Sequence, residues 1–224
     1  MIKNILNLGD AALYCDFGKE VNKEINSSVI QYFKTLKYKK IDGINNLTPS
    51  YNKLIVSFDL KKTNFKEIKK IIENITVDQQ ENLSSNKIEV PVCCDENLAL
   101  DIERLEKKLN LNQDQIFKNF FGKEYFCYMT GFIAGMPFLG DLDSKMRTKR
   151  LETPRVKVPK GAVGLTEQFA NIYTFESPGG WNIIGNTPLK IFDSNKENKP
   201  NLINPGDTVV FKKINFDQYK EYNE

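Results

Sequence analysis

A chain of 224 residues that is 40% hydrophobic and 27% charged is too apolar to be disordered and long enough for two small domains. Its 32 Lys and Arg barely outnumber its 29 Asp and Glu, with the densest basic patch at Lys37 to Lys40, and no basic stripe or recognisable module speaks for nucleic acid. It has no histidine, which removes Ser-His-Asp triads, Cys-His dyads and H-E-x-x-H zinc sites. What is left is carboxylates, cations, hydroxyls, thiols and backbone amides, groups better suited to holding anions than to unaided acyl transfer.

Polar residues interrupt Met1 to Asn7 before any apolar stretch reaches signal-peptide length. No apolar run approaches the roughly 20 residues that span a bilayer, so a cytoplasmic protein with no membrane partner is expected. Cys15, Cys93, Cys94 and Cys127 lack C-x-x-C spacing and disulfide density; free, packed thiols and no metal site are expected.

In chain order, Leu13, Cys15 and Phe17 alternate with polar or small residues as in a half-buried strand. Val21, Ile25, Val29, Phe33 and Leu36 recur at helical spacing, predicting a helix over 21–36 whose stripe is core. Ile41 to Leu47 and Leu54 to Phe58 read as strands joined by a turn at Thr48-Pro49-Ser50. Phe65, Ile68, Ile72 and Ile75 mark a second amphipathic helix. Strand, helix, strand, strand, helix predicts a small α+β sandwich over residues 1–80.

The apolar signal fades between Val77 and Lys87, as in a linker. A second domain is expected over 88–214. It opens with a strand at Ile88 to Val92 and a helix at Leu98 to Leu109, then a short helix capped by Asn112 with Gln115 as reciprocal partner. Beyond Tyr125, short β-prone runs at Phe126 to Met129, Ile172 to Phe175, Leu189 to Phe192 and Thr208 to Phe211 alternate with Gly and Pro, predicting a closed or nearly closed β-barrel. Asn204-Pro205-Gly206-Asp207 reads as the turn into its last strand, and residues from Asn215 on read as a frayed polar end.

Three segments hold more Gly, Pro and polar residues than a bare barrel needs: Gly131 to Gly140, Leu151 to Gly161, and Glu176 to Trp181. Glycine turns let a ligand approach the backbone and let successive N–H groups cradle an anion, but barrel corners use glycine as readily. With Arg155, Lys157 and Lys160 nearby, a phosphate or carboxylate pocket stands beside that plainer reading. Trp181 could wall the pocket or anchor the core. No G-x-x-x-x-G-K-[ST] or G-x-G-x-x-G loop follows a predicted strand, so a nucleotide would be held otherwise or by a partner.

Gly9-Asp10-Ala11-Ala12-Leu13, Thr48-Pro49-Ser50-Tyr51, Tyr128-Met129-Thr130-Gly131-Phe132, Gly135-Met136-Pro137-Phe138-Leu139-Gly140, Thr153-Pro154-Arg155, Val158-Pro159-Lys160-Gly161, Glu176-Ser177-Pro178-Gly179-Gly180-Trp181 and Gly185-Asn186-Thr187-Pro188-Leu189 stand in this order along the chain. Together they resemble the family of B-type 5-oxoprolinase subunits (allophanate hydrolase subunit 1, KipI) over all but the last dozen residues. The resemblance implies an N-terminal α+β domain, a C-terminal cyclophilin-like barrel and a second carboxyltransferase-type chain (the C-type, KipA-like 5-oxoprolinase or allophanate hydrolase subunit), with a metal-dependent A-type component as a further member. It implies that the assembly opens 5-oxo-L-proline to glutamate, or hydrolyses a related allophanate or urea amide, at the expense of ATP with Mg2+ bound at the interface between the chains. A lactam carbonyl is a poor electrophile, and phosphorylating its oxygen would make that oxygen a leaving group.

By this resemblance Arg155 and Lys160 are the candidate oxyanion or phosphate contacts. Gly131, Phe132, Gly135, Pro137, Thr153, Pro154, Ser177, Pro178, Gly179, Gly180 and Trp181 are the candidate pocket. Arg155→Ala is then expected to abolish turnover with little loss of stability, as for an exposed cation. Three departures stand out: Phe120 replaces an expected histidine, Glu167-Gln168-Phe169-Ala170-Asn171 replaces Gly-Gly-Gln-Thr-Gly, and Asn186 replaces an arginine. Because these losses remove polar groups, a KipI-like regulator of a sensor histidine kinase, or a catalytically degenerate homologue, stands as the alternative. A prolyl isomerase would rest on fold alone.

Overall fold

The computed structural model describes residues 2–77, 85–197 and 199–222, in two units, Met1–Ser84 and Ser85–Glu224. Most of the expected linker falls on residues 78–84, outside the described residues.

The first unit is a four-stranded antiparallel sheet carrying two helices. In chain order it comprises β1 (Asn4–Asn7), β2 (Ala12–Asp16), α1 (Lys23–Lys39), β3 (Ile44–Pro49), β4 (Lys53–Phe58) and α2 (Phe65–Asn74), with the strands ordered β1-β2-β4-β3. The alternation reads as expected: Leu13 and Cys15 on β2 and Leu54, Val56 and Phe58 on β4 point into one core with Val29, Leu36, Ile68 and Ile72 from the helices. Each helix begins at an asparagine whose side chain accepts a backbone N–H, Asn22 from Ile25 and Asn64 from Glu67.

Three sequence expectations shift here. The strand β1 went unread because only Ile5 of its four residues is buried, so it has no alternation to read. The helix α1 starts two residues later than predicted and continues to Lys39, ending at Lys40 with φ of +45°. Pro49 is the last residue of β3, not part of the turn; an edge strand tolerates a missing N–H. The bend itself lies at residues 50–52, closed by Ser50 N–H donating to the Lys53 carbonyl. The buried Asn26 of α1 donates to the carbonyls of both Ser50 and Tyr51 and so ties that bend to the helix.

The second unit is a closed barrel. Its elements are β5 (Lys87–Cys93), α3 (Ile102–Leu109), α4 (Gln113–Phe121), β6 (Glu124–Thr130), β7 (Pro137–Gly140), β8 (Arg155–Val158), β9 (Ala162–Thr166), β10 (Phe169–Ile172), β11 (Ser177–Gly179), β12 (Asn182–Asn186), β13 (Thr208–Ile214) and α5 (Phe216–Glu221). Around the barrel the strands run β10-β7-β6-β13-β5-β12-β9, while β8 and β11 form a separate antiparallel pair. The fold class is therefore the one expected, an α+β sandwich followed by a barrel. The predicted capping box of Asn112 and Gln115 forms at the start of α4.

Local signals were misleading in four places. The expected helix from Leu98 becomes regular only at Ile102, since Asp95 first accepts the Leu98 and Ala99 N–H groups in a turn. The run expected at 172–175 is a strand at Phe169–Ile172. Leu189 to Phe192 makes a single bridge, Phe192 to Asn201, and no strand. The end expected to fray carries α5, with its own capping box of Asn215 and Gln218, and Tyr219 donates its hydroxyl to Asn186. The second unit thus continues beyond residue 214.

Phe120, where the family resemblance expects histidine, is fully buried. Its ring stacks on Phe211 at 4.9 Å, and its carbonyl accepts the Tyr125 hydroxyl at 2.9 Å. Arg155, expected as a free site cation, is committed to the fold. Its Nη2 donates to the Asp101 carboxylate at 2.6 Å, and the other carboxylate oxygen accepts the Ile183 N–H at 2.6 Å. Asp101 is 4% exposed and its own N–H donates to the Ile183 carbonyl, so this residue knits the start of α3 to β12 and β8.

Removing Arg155 therefore strands a buried carboxylate, against the expectation that its loss leaves stability intact. Arg155→Ala should lower unfolding free energy by about 2–3 kcal/mol, less than a fully enclosed pair would lose because the guanidinium is partly exposed. Asp101→Ala with Arg155→Ala should lose less than the sum of the two singles. Urea unfolding followed by the fluorescence of Trp181, the one tryptophan of the chain, measures both in the barrel unit; additive losses would show that the pair does not couple.

Candidate functional site

Three loops of the barrel unit meet. The segment between β6 and β7 folds back on itself through Gly131 N–H to the Met136 carbonyl, with Gly135 at φ of +70° where a side chain would strike Phe192. Thr174 reaches from the end of β10 to donate its hydroxyl to the Ala134 carbonyl at 2.7 Å, binding that loop to the approach of β11. Leu151 N–H donates to the Gly180 carbonyl, and β11 pairs with β8, Ser177 opposite Val158 and Gly179 opposite Arg155. The glycine-bearing bends are thus held together by hydrogen bonds between segments far apart in sequence.

They enclose a hollow of about 330 Å³. Its walls are largely aromatic: Trp181 meets Phe138 edge to face at 5.6 Å, with Met136 and Tyr173 beside them. Pro154, Pro178, Gly179 and Gly180 complete the lining. Gly179 has no alternative, because a Cβ there would lie 2.2 Å from the Tyr173 hydroxyl. Phe132 stands among the lining residues with φ of +69° and 72% exposure, an uncommon backbone for a bulky side chain and an aromatic ring left in solvent.

The one formal charge among the lining residues is the guanidinium of Arg150. Burial pushes the Tyr173 hydroxyl above its usual pKa, opposed by hydrogen bonding from Asn171, so the tyrosine stays protonated at neutral pH and offers a neutral hydroxyl. Four polar atoms of this unit are buried without a partner among the described residues: Asn171 Oδ1, Ser177 Oγ, Asn201 Oδ1 and Arg155 Nη1. The arrangement can hold a small flat molecule between rings and fix an anionic end on Arg150. Its lining contains no carboxylate, thiol or amine to move protons or attack a carbonyl.

Among the residues expected from sequence, Phe132, Pro154, Pro178, Gly179, Gly180 and Trp181 line the hollow. Gly131 and Gly135 shape its loop, Pro137 is the buried first residue of β7, and Ser177 lies in β11. Thr153 is exposed outside the lining. Lys160 is also exposed and outside it, contributing a backbone carbonyl to Asn186. Sequence reasoning missed Met136, Phe138, Arg150 and Tyr173 as pocket residues, the first two although they lie inside the first glycine-bearing segment. The signal for Arg150 was its place in the basic run Arg147 to Arg150 just before the second glycine and proline segment. A larger hollow, about 550 Å³, lies in the first unit and is lined by none of the three segments.

The family model of the carboxyltransferase domain, subdomain C and D, matches residues 3–203. The 5-oxoprolinase B subunit of Bacillus subtilis is 30% identical across 98% of this chain and 96% of its own length, and that of Escherichia coli O157:H7 is 35% identical over 57% of this chain and 58% of its own. Among solved structures, TTHA0988 superposes with a TM-score of 0.82 at 26% identity, covering 92% of this chain, which spans only 40% of that protein's length. PH0987 from Pyrococcus horikoshii is 33% identical with a TM-score of 0.58 over 96% of this chain and all of its own. The Kluyveromyces lactis urea amidolyase, at 18% identity, shares the fold with a TM-score of 0.80 over 97% of this chain and 15% of its length. A match spanning nearly the whole chain, together with near full-length likeness to a B-type 5-oxoprolinase subunit, makes this protein a member of the carboxyltransferase C and D subdomain family.

Proposed function

We propose that this chain is the B-type subunit of an ATP-dependent 5-oxoprolinase, or of a related allophanate or urea amide hydrolase, and works only with a second carboxyltransferase-type chain in the cytoplasm. One observation carries the reading: three glycine and proline segments converge on an aromatic hollow with a single guanidinium, Arg150. A five-membered lactam is flat enough to lie between Trp181, Phe138 and Phe132, and its carboxylate matches Arg150. The unpartnered Asn171 Oδ1 and Ser177 Oγ leave hydrogen-bonding capacity close to this region of the barrel.

The same lining does not fit ATP with Mg2+. A triphosphate needs several cations or a run of amides, and its Mg2+ needs a carboxylate or two beside the phosphates, which this lining lacks. Among the described residues no three His, Cys, Asp or Glu gather to hold a metal. The nucleotide is therefore assigned to the partner's side, and this chain's part is to bind and orient the amide. The lack of an acid or base in the lining accords with a site that a second chain completes. The names of the relatives as subunits accord with it too. No helix among the described residues is long and apolar enough to cross a membrane, and all four cysteines are free thiols, which suits a reducing compartment.

A second reading, a regulator that docks on another protein such as a sensor kinase, is favoured by the apolar rim of the same region. In the barrel unit Val156 is 81% exposed, Phe132 72% and Phe175 46%.

Co-expression with the second chain, followed by an assay of ATP-dependent glutamate release from 5-oxoproline, separates the two. Turnover should require both chains, and Arg150→Ala should reduce kcat/KM about 100-fold, the size of a lost charged hydrogen bond of ~2–3 kcal/mol, with no change in melting temperature. Trp181→Phe should retain most activity and Trp181→Ala little. No turnover from the intact pair would remove the enzyme reading and leave the docking one, and turnover indifferent to Arg150 would remove this hollow as the place where the amide is bound.

A further inference from the structure

The larger hollow of the first unit lies against β3, an edge strand hydrogen-bonded to β4 on one side only. Phe33 and Leu36 of α1 and Ile44 and Leu47 of β3 give it apolar lining, beside Asn45, Asn46 and the carboxylates of Asp42 and Asp59. Lys37 and Lys40 stand at its border, both exposed, and neither has a carboxylate within salt-bridge distance among the described residues. Lys62, across the groove, is already paired with Asp42 at 2.8 Å. Tyr38, on the last turn of α1, is 88% exposed, and Leu60, in the loop after β4, is 58% exposed.

Charge is divided between the two units. Residues 1–84 hold thirteen Lys against ten Asp and Glu, while residues 85–224 hold nineteen Lys and Arg against nineteen, so the whole net charge of +3 belongs to the first unit. Lysines at the end of α1 also complement its helix dipole, but that role needs neither an open groove nor exposed Tyr38 and Leu60.

We propose that this groove is a docking site for an extended, acidic segment of a protein partner, which adds a strand to the free edge of β3 and sets acidic side chains against Lys37 and Lys40. Main-chain hydrogen bonds to an unpaired edge supply affinity in such additions, and side chains at alternate positions supply specificity. An acidic partner follows from the two lysines that have no carboxylate partner among the described residues, Lys37 lying over the Phe33 ring at 5.6 Å, and from the segregated charge. The register irregularity between Ile44 and Asn46, together with Pro49, limits the usable edge to a few residues and protects it from unspecific pairing with other sheets. This inference is independent of the barrel hollow and of the enzyme reading.

The test uses the full chain and a fluorescein-labelled heptapeptide of alternating Val and Glu, followed by anisotropy. Binding on the order of tens of micromolar is expected, weakened at least about tenfold by Lys37→Glu with Lys40→Glu. A peptide of alternating Val and Lys should not bind. N-methylation of alternate peptide amides separates a strand from other bound forms: one set should abolish binding and the other leave it intact, because a strand directs successive amides to opposite sides. Equal binding of the Val and Lys peptide, no response to the double charge reversal, or equal tolerance of both N-methylated sets would each overturn the proposal. So would a dimer of this chain, seen in sedimentation, that the peptide cannot dissociate.

Discussion

The first strand of the barrel and the last lie side by side, β5 paired with β13 in parallel from Lys87 opposite Thr208 to Cys93 opposite Ile214. Every other pairing in the barrel is antiparallel, so this one contact closes a sheet that would otherwise end in two open edges. Two strands far apart in sequence must meet before the barrel exists, and the buried Asp207 prepares that meeting. Its carboxylate accepts N–H groups from Asn86, just before β5, and from Asn204, across its own turn. Closure fixes where each loop emerges, and Asp101 then fixes the start of α3 against β12, with Arg155 held from β8. The hollow is a consequence of that framework. Its walls come from the loop of one hairpin, an added pair of strands and the residues leading into them, none of which would meet in an open sheet.

What the walls contain says as much as where they stand. An enzyme that acts alone on an amide needs a group to attack and groups to trade protons. The hollow offers rings, glycine backbone, one guanidinium and a phenol that burial keeps neutral. The absence of histidine from the whole chain makes this less surprising than it would be in an isolated hydrolase. A module that supplies shape and a charge, leaving reactive groups to another polypeptide, accounts for both observations.

Much of this was legible in the sequence. Alternation placed β2 and β4, helical spacing placed α1 and α2, and the punctuation of short β runs by Gly and Pro announced the barrel. The segments that build the hollow were picked out by composition, and eight of their residues line it. The failures have physical reasons. A strand such as β1, with one buried residue in four, carries no period. A strand such as β12, buried at all five positions but reading Asn-Ile-Ile-Gly-Asn, carries neither an alternation nor an apolar run. Leu189 to Phe192 is apolar enough for a strand but finds only one partner, and pairing is a property of the whole sheet.

The surroundings of two arginines show most clearly where sequence reasoning ends. Arg155 lies inside a motif, next to Pro154, and so attracted the assignment of an anion-gripping group; Arg150 lies in a basic run that looks like solvated surface. Asp101, some fifty positions upstream, is buried and paired with Arg155, while Arg150 stands among the residues that line the hollow. A buried carboxylate outcompetes a prospective ligand for the nearest guanidinium because it is always present and cannot be left unpaired. Motif resemblance carries residue identity from one relative to another, but the partner that satisfies a charge is set by tertiary packing. The same reasoning explains why Phe120 is compatible with the fold: it sits in the aromatic stack with Phe211 and Tyr125, outside the hollow's lining, where an imidazole would exchange ring packing for a polar group in the core.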